Sequence, residues 1–275
     1  MTSRLENPLE RISPNAGAIR ARVVLFDFDG TLSLIRSGWE QIMIPMIVET
    51  LAGLGSGESE QQLSTVVEEY AARLTGEQTI YQMIELARQV ELRGGKPLAP
   101  LEYKEKYHER LMERIRHRRE SLRRGEVSPD EYLVPGAREF LEALRNRGLT
   151  LYCASGTDQI YTHEEAQLLQ IAGYFDGGIY GALEDYKSFS KEILIRKLIS
   201  TAGYRGEELL GFGDGYVEIK NVKDAGGLAV GVATDEPECK FVNEWKRNRL
   251  VAVGADFIVP NFLAREQILE TVFGN

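Results

Sequence analysis

Cysteine is nearly absent from this 275-residue chain, which has only Cys153 and Cys239. Two thiols so far apart exclude a disulfide framework and a thiolate metal site, and they fit a reducing, cytoplasmic setting. Long apolar runs are missing too. The longest apolar stretch, 42–54, is broken by Pro45, Glu49 and Thr50 and is too short to cross a bilayer. Residues 1–20 contain Glu6, Glu10, several arginines and two prolines without the apolar core of a secretory signal, so they read as a polar arm. No repeat recurs at a solenoid period, and Gly55-Ser56-Gly57 is a loop rather than a low-complexity tract. Positive charge is in deficit, with 33 Lys and Arg against 42 Asp and Glu, and the net charge of −9 repels nucleic acid and anionic membranes. What remains is an ordinary globular composition, 43% hydrophobic and 27% charged, with enough residues for one or two domains.

Periodicity divides the chain. Residues 38–124 read as helical throughout. In one of these helices Tyr107, Leu111, Ile115 and Leu122 recur at helical spacing among nine Lys and Arg and four Asp and Glu over 104–124. That charge run reads as a solvated helix face, with a basic surface meeting an anionic substrate as the alternative. After Pro135-Gly136, helices (137–147, 159–169, 191–200) alternate with short apolar strands (149–154, 209–212, 228–233, 256–259). Strand alternating with helix implies an α/β fold, a Rossmann-like doubly wound parallel sheet that also takes in the strand 23–26. The expected organisation is a polar arm at 1–20, a sheet core from 21–36 and 133–275, and an inserted all-helical domain at 37–132.

In such a sheet, ligands bind beyond the carboxyl ends of the strands, and the reactive residue types collect there. Asp27-Phe28-Asp29-Gly30-Thr31 follows Val23-Val24-Leu25-Phe26 and puts two carboxylates at one strand exit. Gly30 allows a sharp turn, and Thr31 offers a hydroxyl and a backbone N–H. Paired carboxylates at a strand exit suit a divalent cation and covalent or acid–base work on a phosphate. After strand 149–154 comes Ser155-Gly156-Thr157-Asp158, which reads either as a phosphate-binding turn or as the N-cap of the next helix. After strand 209–212, Gly213-Asp214 adds a carboxylate suited to Mg²⁺, and Glu218 falls in the first turn of the following helix. Lys191 starts the helix 191–200 beside Ser190 as its cap, where a cation opposes the helix dipole and needs acidic or phosphate company. Lys187 is the competing lysine.

These four strand-end motifs in this order, followed early by a large helical insertion, resemble the phosphatase branch of the haloacid dehalogenase superfamily. The resemblance spans the whole sheet domain and makes the insertion similar to that superfamily's mobile cap. It implies that Asp27 is a nucleophile forming an aspartyl phosphate and that Asp29 is the general acid and then the base. It further implies that Ser155 and Gly156, with Thr31, hold the phosphate, and that Lys191 stabilises the transferring group and holds Asp27. Asp27, the carbonyl of Asp29, and Asp214 would hold Mg²⁺. Glu218 replaces the aspartate more usual in its motif, which leaves its contact with the metal open. Dehalogenation is disfavoured, since that branch lacks the second aspartate.

A cap implies a small substrate, a phosphorylated metabolite such as a sugar phosphate, with hinges at Ser37-Gly38 and Val134-Pro135-Gly136. Arg36 and Trp39 are placed to meet the leaving group, unless Trp39 simply packs inside the cap. A phosphomutase and a non-catalytic phosphate-binding protein are the alternative functions.

Overall fold

The computed structural model describes residues 2–3, 8–14 and 16–274. In chain order the elements begin with β1 (Thr2–Ser3), β2 (Glu10–Arg11) and β3 (Val23–Phe26), followed by four consecutive helices, α1 (Glu40–Ala52), α2 (Glu60–Arg73), α3 (Thr79–Leu92) and α4 (Pro100–Arg124). Then come α5 (Ala137–Asn146), β4 (Thr150–Asp158), α6 (Gln159–Leu168), β5 (Gly178–Ala182), α7 (Lys191–Ser200) and β6 (Leu209–Gly213). The chain ends with α8 (Tyr216–Asp224), β7 (Leu228–Val232), β8 (Val242–Asn243), α9 (Glu244–Ala252), β9 (Phe257–Val259) and α10 (Arg265–Phe273). Among the described residues no helix is long and apolar enough to cross a membrane.

Seven strands form one sheet in the order β2-β9-β7-β6-β3-β4-β5, all parallel except β2, which pairs antiparallel with β9. β3 is central: Phe26 stands opposite Cys153 of β4 and Phe212 of β6, so the carboxyl ends of the three strands lie side by side. Because successive side chains alternate faces, Val24 and Phe26 join one core with α5 and α10, while Val23 and Leu25 join a second core with α7 and α8. Helices therefore cover both faces of the sheet, as the alternating pattern implied. A stack of Phe26 on Phe212, with ring centroids 4.9 Å apart, anchors the first core directly beneath the strand ends. That core runs on without a break into the inserted helices through Met43, Leu63, Leu86 and Leu111.

Local signals explain where the helices begin. Ser59 caps α2 in a reciprocal box with Gln62, and Ser190 caps α7 by accepting from the Ile193 N–H at 3.1 Å. Pro100 opens α4, and Gly125 closes it with a positive φ of 68°.

Three details differ from the sequence reading. Residues 10 and 11 extend the sheet as an edge strand, and Leu9 is buried, so the polar arm does not end at residue 20 as a separate piece; its residues 1, 4–7 and 15 lie outside the described ones. β4 continues past Ala154 through Asp158 with an irregularity in its pairing to β5, so neither Ser155 nor Thr157 caps a helix. β5 has no counterpart in the sequence pattern: Gly-Ile-Tyr-Gly-Ala has two glycines where strand-forming residues would signal, and its pairing with β4 makes it a strand.

Candidate active site

The turn after β3 is tight. Gly30 has φ +74°, and a Cβ there would collide with the Asp214 carboxylate, so glycine is required both by backbone conformation and by space. This turn brings Asp27, Asp29 and Gly30 to the wall of a cavity of about 100 Å³, together with Ser155, Gly156 and Asp214. Thr31 is not there. Its side chain is fully buried beneath the turn, and its hydroxyl has no hydrogen-bond partner. The structure therefore does not bring the Thr31 side chain to the cavity wall with the other residues expected to bind phosphate.

Asp27 and Asp29 occupy different environments. Lys191 Nζ donates to Asp27 Oδ1 at 2.8 Å and also to Glu218 Oε1, and all three side chains are almost fully buried. Burial raises the Asp27 pKa well above the usual carboxylate range, with repulsion from Glu218 and Asp214 adding to it and Lys191 opposing. Burial alone would lower the Lys191 pKa, but Asp27 and Glu218 outweigh it and raise it. Asp29 instead accepts from the hydroxyls of Thr157 at 2.9 Å and Ser155 at 3.2 Å. Burial pushes its pKa up to about 6, against the pull of Arg36, whose Nε lies 3.9 Å away. Lys187 takes no part in this cluster and lies over the Tyr186 ring.

Arg36 and Trp39, both expected near the leaving group, line the cavity, whereas Glu165, Lys246 and Glu236 carry no sequence signal. Arg36 is held by a bidentate pair to Glu165, at 3.0 and 2.9 Å, with the Glu165 side chain wholly inaccessible. Glu165 lies in α6 with no local pattern to mark it as buried. Lys246 of α9 donates to Asp214 at 2.8 Å and to Glu236 at 2.7 Å, from a segment without motif character.

The insertion closes directly on this cluster. The loop between α2 and α3 sets Gly76 against Glu218, where a Cβ would come within 2.8 Å of Oε2, and sets the Glu77 carbonyl against Gly156. Gln78 fastens it to the sheet domain by donating to the carbonyls of Tyr186 at 2.9 Å and Phe189 at 2.6 Å, just ahead of α7.

The residues suit a hard divalent cation. Asp27 and Asp214 line the same cavity, their repulsion adds to the rise that burial gives the Asp27 pKa, and Oδ1 of Asp29 and Oε2 of Glu218 are buried without hydrogen-bond partners. Among the described residues no three acidic, histidine or cysteine side chains stand together as a ready-made metal cluster. Glu218 gives one oxygen to Lys191.

Comparison with known proteins settles the family. The haloacid dehalogenase-like hydrolase family matches residues 21–226. The chain belongs to that family. A 5'-nucleotidase of Pseudomonas aeruginosa is 29% identical over 218 residues, covering 78% of this chain and 84% of the relative. In fold the chain is similar to a predicted phosphatase from Clostridium acetobutylicum, with a TM-score of 0.59, 19% identity, and coverage of 91% of this chain and 99% of the other. It is also similar to a β-phosphoglucomutase from Clostridium difficile, with a TM-score of 0.57, 15% identity, and coverage of 91% and 96%. This haloacid dehalogenase-like hydrolase thus shares its architecture with hydrolytic and phosphoryl-moving relatives alike.

Proposed function

We propose that this hydrolase is a Mg²⁺-dependent phosphatase that cleaves a small phosphomonoester through an aspartyl phosphate at Asp27. The observation that carries this reading is the division of labour between two carboxylates on one cavity wall: Asp27 held against the Lys191 ammonium, and Asp29 held among hydroxyls with its pKa raised to about 6. An Asp27 oxygen attacks phosphorus as the bond to the ester oxygen breaks, and protonated Asp29 gives its proton to that oxygen. Asp29, now ionised, takes a proton from the water that attacks the aspartyl phosphate, which frees inorganic phosphate and restores Asp27. Ser155 and Gly156 line the cavity, where the hydroxyl of the first and the backbone N–H of the second would hold the phosphoryl oxygens, and Lys191 keeps Asp27 oriented. Asp27, Asp214 and the carbonyl of Asp29 would hold Mg²⁺, with Glu218 next to them on Lys191. The cation would offset the repulsion between nucleophile and phosphate. The inserted helices act as a cap, and the small cavity suits a compact phosphorylated metabolite.

The test is phosphate release from a panel of small phosphomonoesters, with Mg²⁺ or with chelator, using Asp27→Asn as control. Metal-dependent release that disappears in Asp27→Asn, while the protein still unfolds cooperatively, is the expected result. Release by the variant near the parent rate would overturn the nucleophile, and conversion of substrate to an isomer without phosphate release would establish a mutase.

A further inference from the structure

Beside the catalytic cavity lies a larger one of about 260 Å³, and the two share Ser37, Trp39, Thr75, Asp214 and Glu236 as common lining. The larger cavity is lined by four cations, Arg114 and Arg118 from α4 and Lys246 and Arg249 from α9, on a chain whose net charge is −9. The acids on the same wall are Glu40, Asp214 and Glu236, and Lys246 already bonds to the last two at 2.8 and 2.7 Å. Arg118 spends its hydrogen bonds on the carbonyls of Ile35 and Ser37, at 2.8 and 2.9 Å, so these contacts leave its charge unneutralised. Arg249 donates to the carbonyl of Ala72 and lies over the Trp245 ring, 4.5 Å from its centroid, but its Nη1 is buried with no hydrogen-bond partner. Burial lowers the pKa of both Arg118 and Arg249, and Arg114 adds repulsion at Arg118. A bound anion would relieve all three effects.

Helix α4 joins the two cavities. Tyr107 and Leu111 line the catalytic one, and Arg114 and Arg118 line the other. Spacings of four, three and four residues put them on one helix face, and from Leu111 to Arg114 the helix advances only about 4.5 Å. The charge run that reads as a solvated face therefore turns two of its arginines toward a cavity next to the reaction site.

We propose that the second cavity binds a second anionic group, phosphate or carboxylate, of the same substrate whose scissile phosphate sits at Asp27. The substrate class is then a small bisphosphate or a phosphorylated acid rather than a neutral sugar monophosphate. The assignment of the first phosphate to Asp27 rests on the phosphatase reading; the anion preference of the second cavity does not.

The experiment is calorimetric titration of Asp27→Asn protein, in which hydrolysis does not interfere, with matched pairs: fructose 1,6-bisphosphate against fructose 6-phosphate, and 3-phosphoglycerate against glycerol 3-phosphate. The doubly anionic member of at least one pair should bind about tenfold or more tightly, as expected for an added charge-assisted contact. Adding Arg249→Gln, or Arg114→Gln at an exposed position that leaves the core intact, should shrink that ratio to about threefold or less. Equal affinity within both pairs, or a preference that both substitutions leave in place, would overturn the proposal. Equally tight binding of fructose 6-phosphate once free inorganic phosphate is added would make the anion a separate ligand and overturn the single-substrate assignment. If the unsubstituted enzyme releases phosphate from no ester, the phosphatase reading fails, while the affinity ratios still report on the second cavity.

Discussion

Asp29→Asn is expected to stabilise the metal-free protein at neutral pH while removing its acid catalyst. Asp29 shifts from 3.8 to about 6 on folding, chiefly through burial. Between these values the folded chain holds a proton that the unfolded chain has released, so stability falls as pH rises from about 4 to about 6 and stays reduced above that. Two units at about 1.4 kcal/mol each set a ceiling near 3 kcal/mol. The Asp29 side chain keeps 23% of its surface exposed, and water screening brings the expected effect to about 1–2 kcal/mol. Asparagine carries no such penalty, and its carbonyl still accepts from Ser155 and Thr157. Calorimetric melting in chelator at pH 4, 5, 6, 7 and 8 should show the two proteins close at pH 4 and the variant melting about 2–6 °C higher at pH 7–8. A difference independent of pH, or a variant that melts lower at pH 8, would refute the argument that Asp29 is a desolvated acid. In the parent enzyme the same titration should appear as a fall in kcat/KM as pH rises through the Asp29 pKa.

Other substitutions probe neighbouring links. Lys191→Met leaves Asp27 and Glu218 buried and facing each other, so urea unfolding should show a loss of about 3–5 kcal/mol along with loss of turnover; a loss under 1 kcal/mol would remove Lys191 as their compensating charge. Glu165→Gln frees Arg36 to interact more strongly with Asp29, which should cost about 2–4 kcal/mol and move the descending limb of the pH profile to lower pH; a profile that stays in place would disconnect this pair from the acid. Gly156→Ala drives a Cβ into the Glu77 carbonyl, and kcat/KM should fall about tenfold or more as the insertion's loop is pushed off the cavity, while unaltered kinetics would show that closure at this contact is dispensable.

Much of the fold was legible because strand and helix periods differ. The apolar runs at Val23–Phe26 and Leu209–Gly213 and the amphipathic stretch at Lys191–Ser200 read correctly from residue spacing and a serine cap. β5 is illegible because glycines carry no packing preference, and β4 runs past its apolar part because its ladder with β5, interrupted after Ala154, resumes where Asp158 pairs with Ala182. Thr31 is adjacent in sequence to Asp29 and Gly30, but adjacency does not decide whether a side chain lines the cavity or is buried away from it.

By itself the sequence determined the residue types at each strand exit and the order in which they arrive, since both follow from local pattern and the doubly wound rule that ligands meet strand carboxyl ends. Only the tertiary structure decided which charges face one another. Arg36 with Glu165 and Lys246 with Asp214 are separated by 129 and 32 residues, and the register of packed helices, which no local pattern encodes, brings them together. Burial likewise exists only after folding, and it is burial that raises the Asp29 pKa to about 6 and leaves Arg249 unsatisfied beside the second cavity.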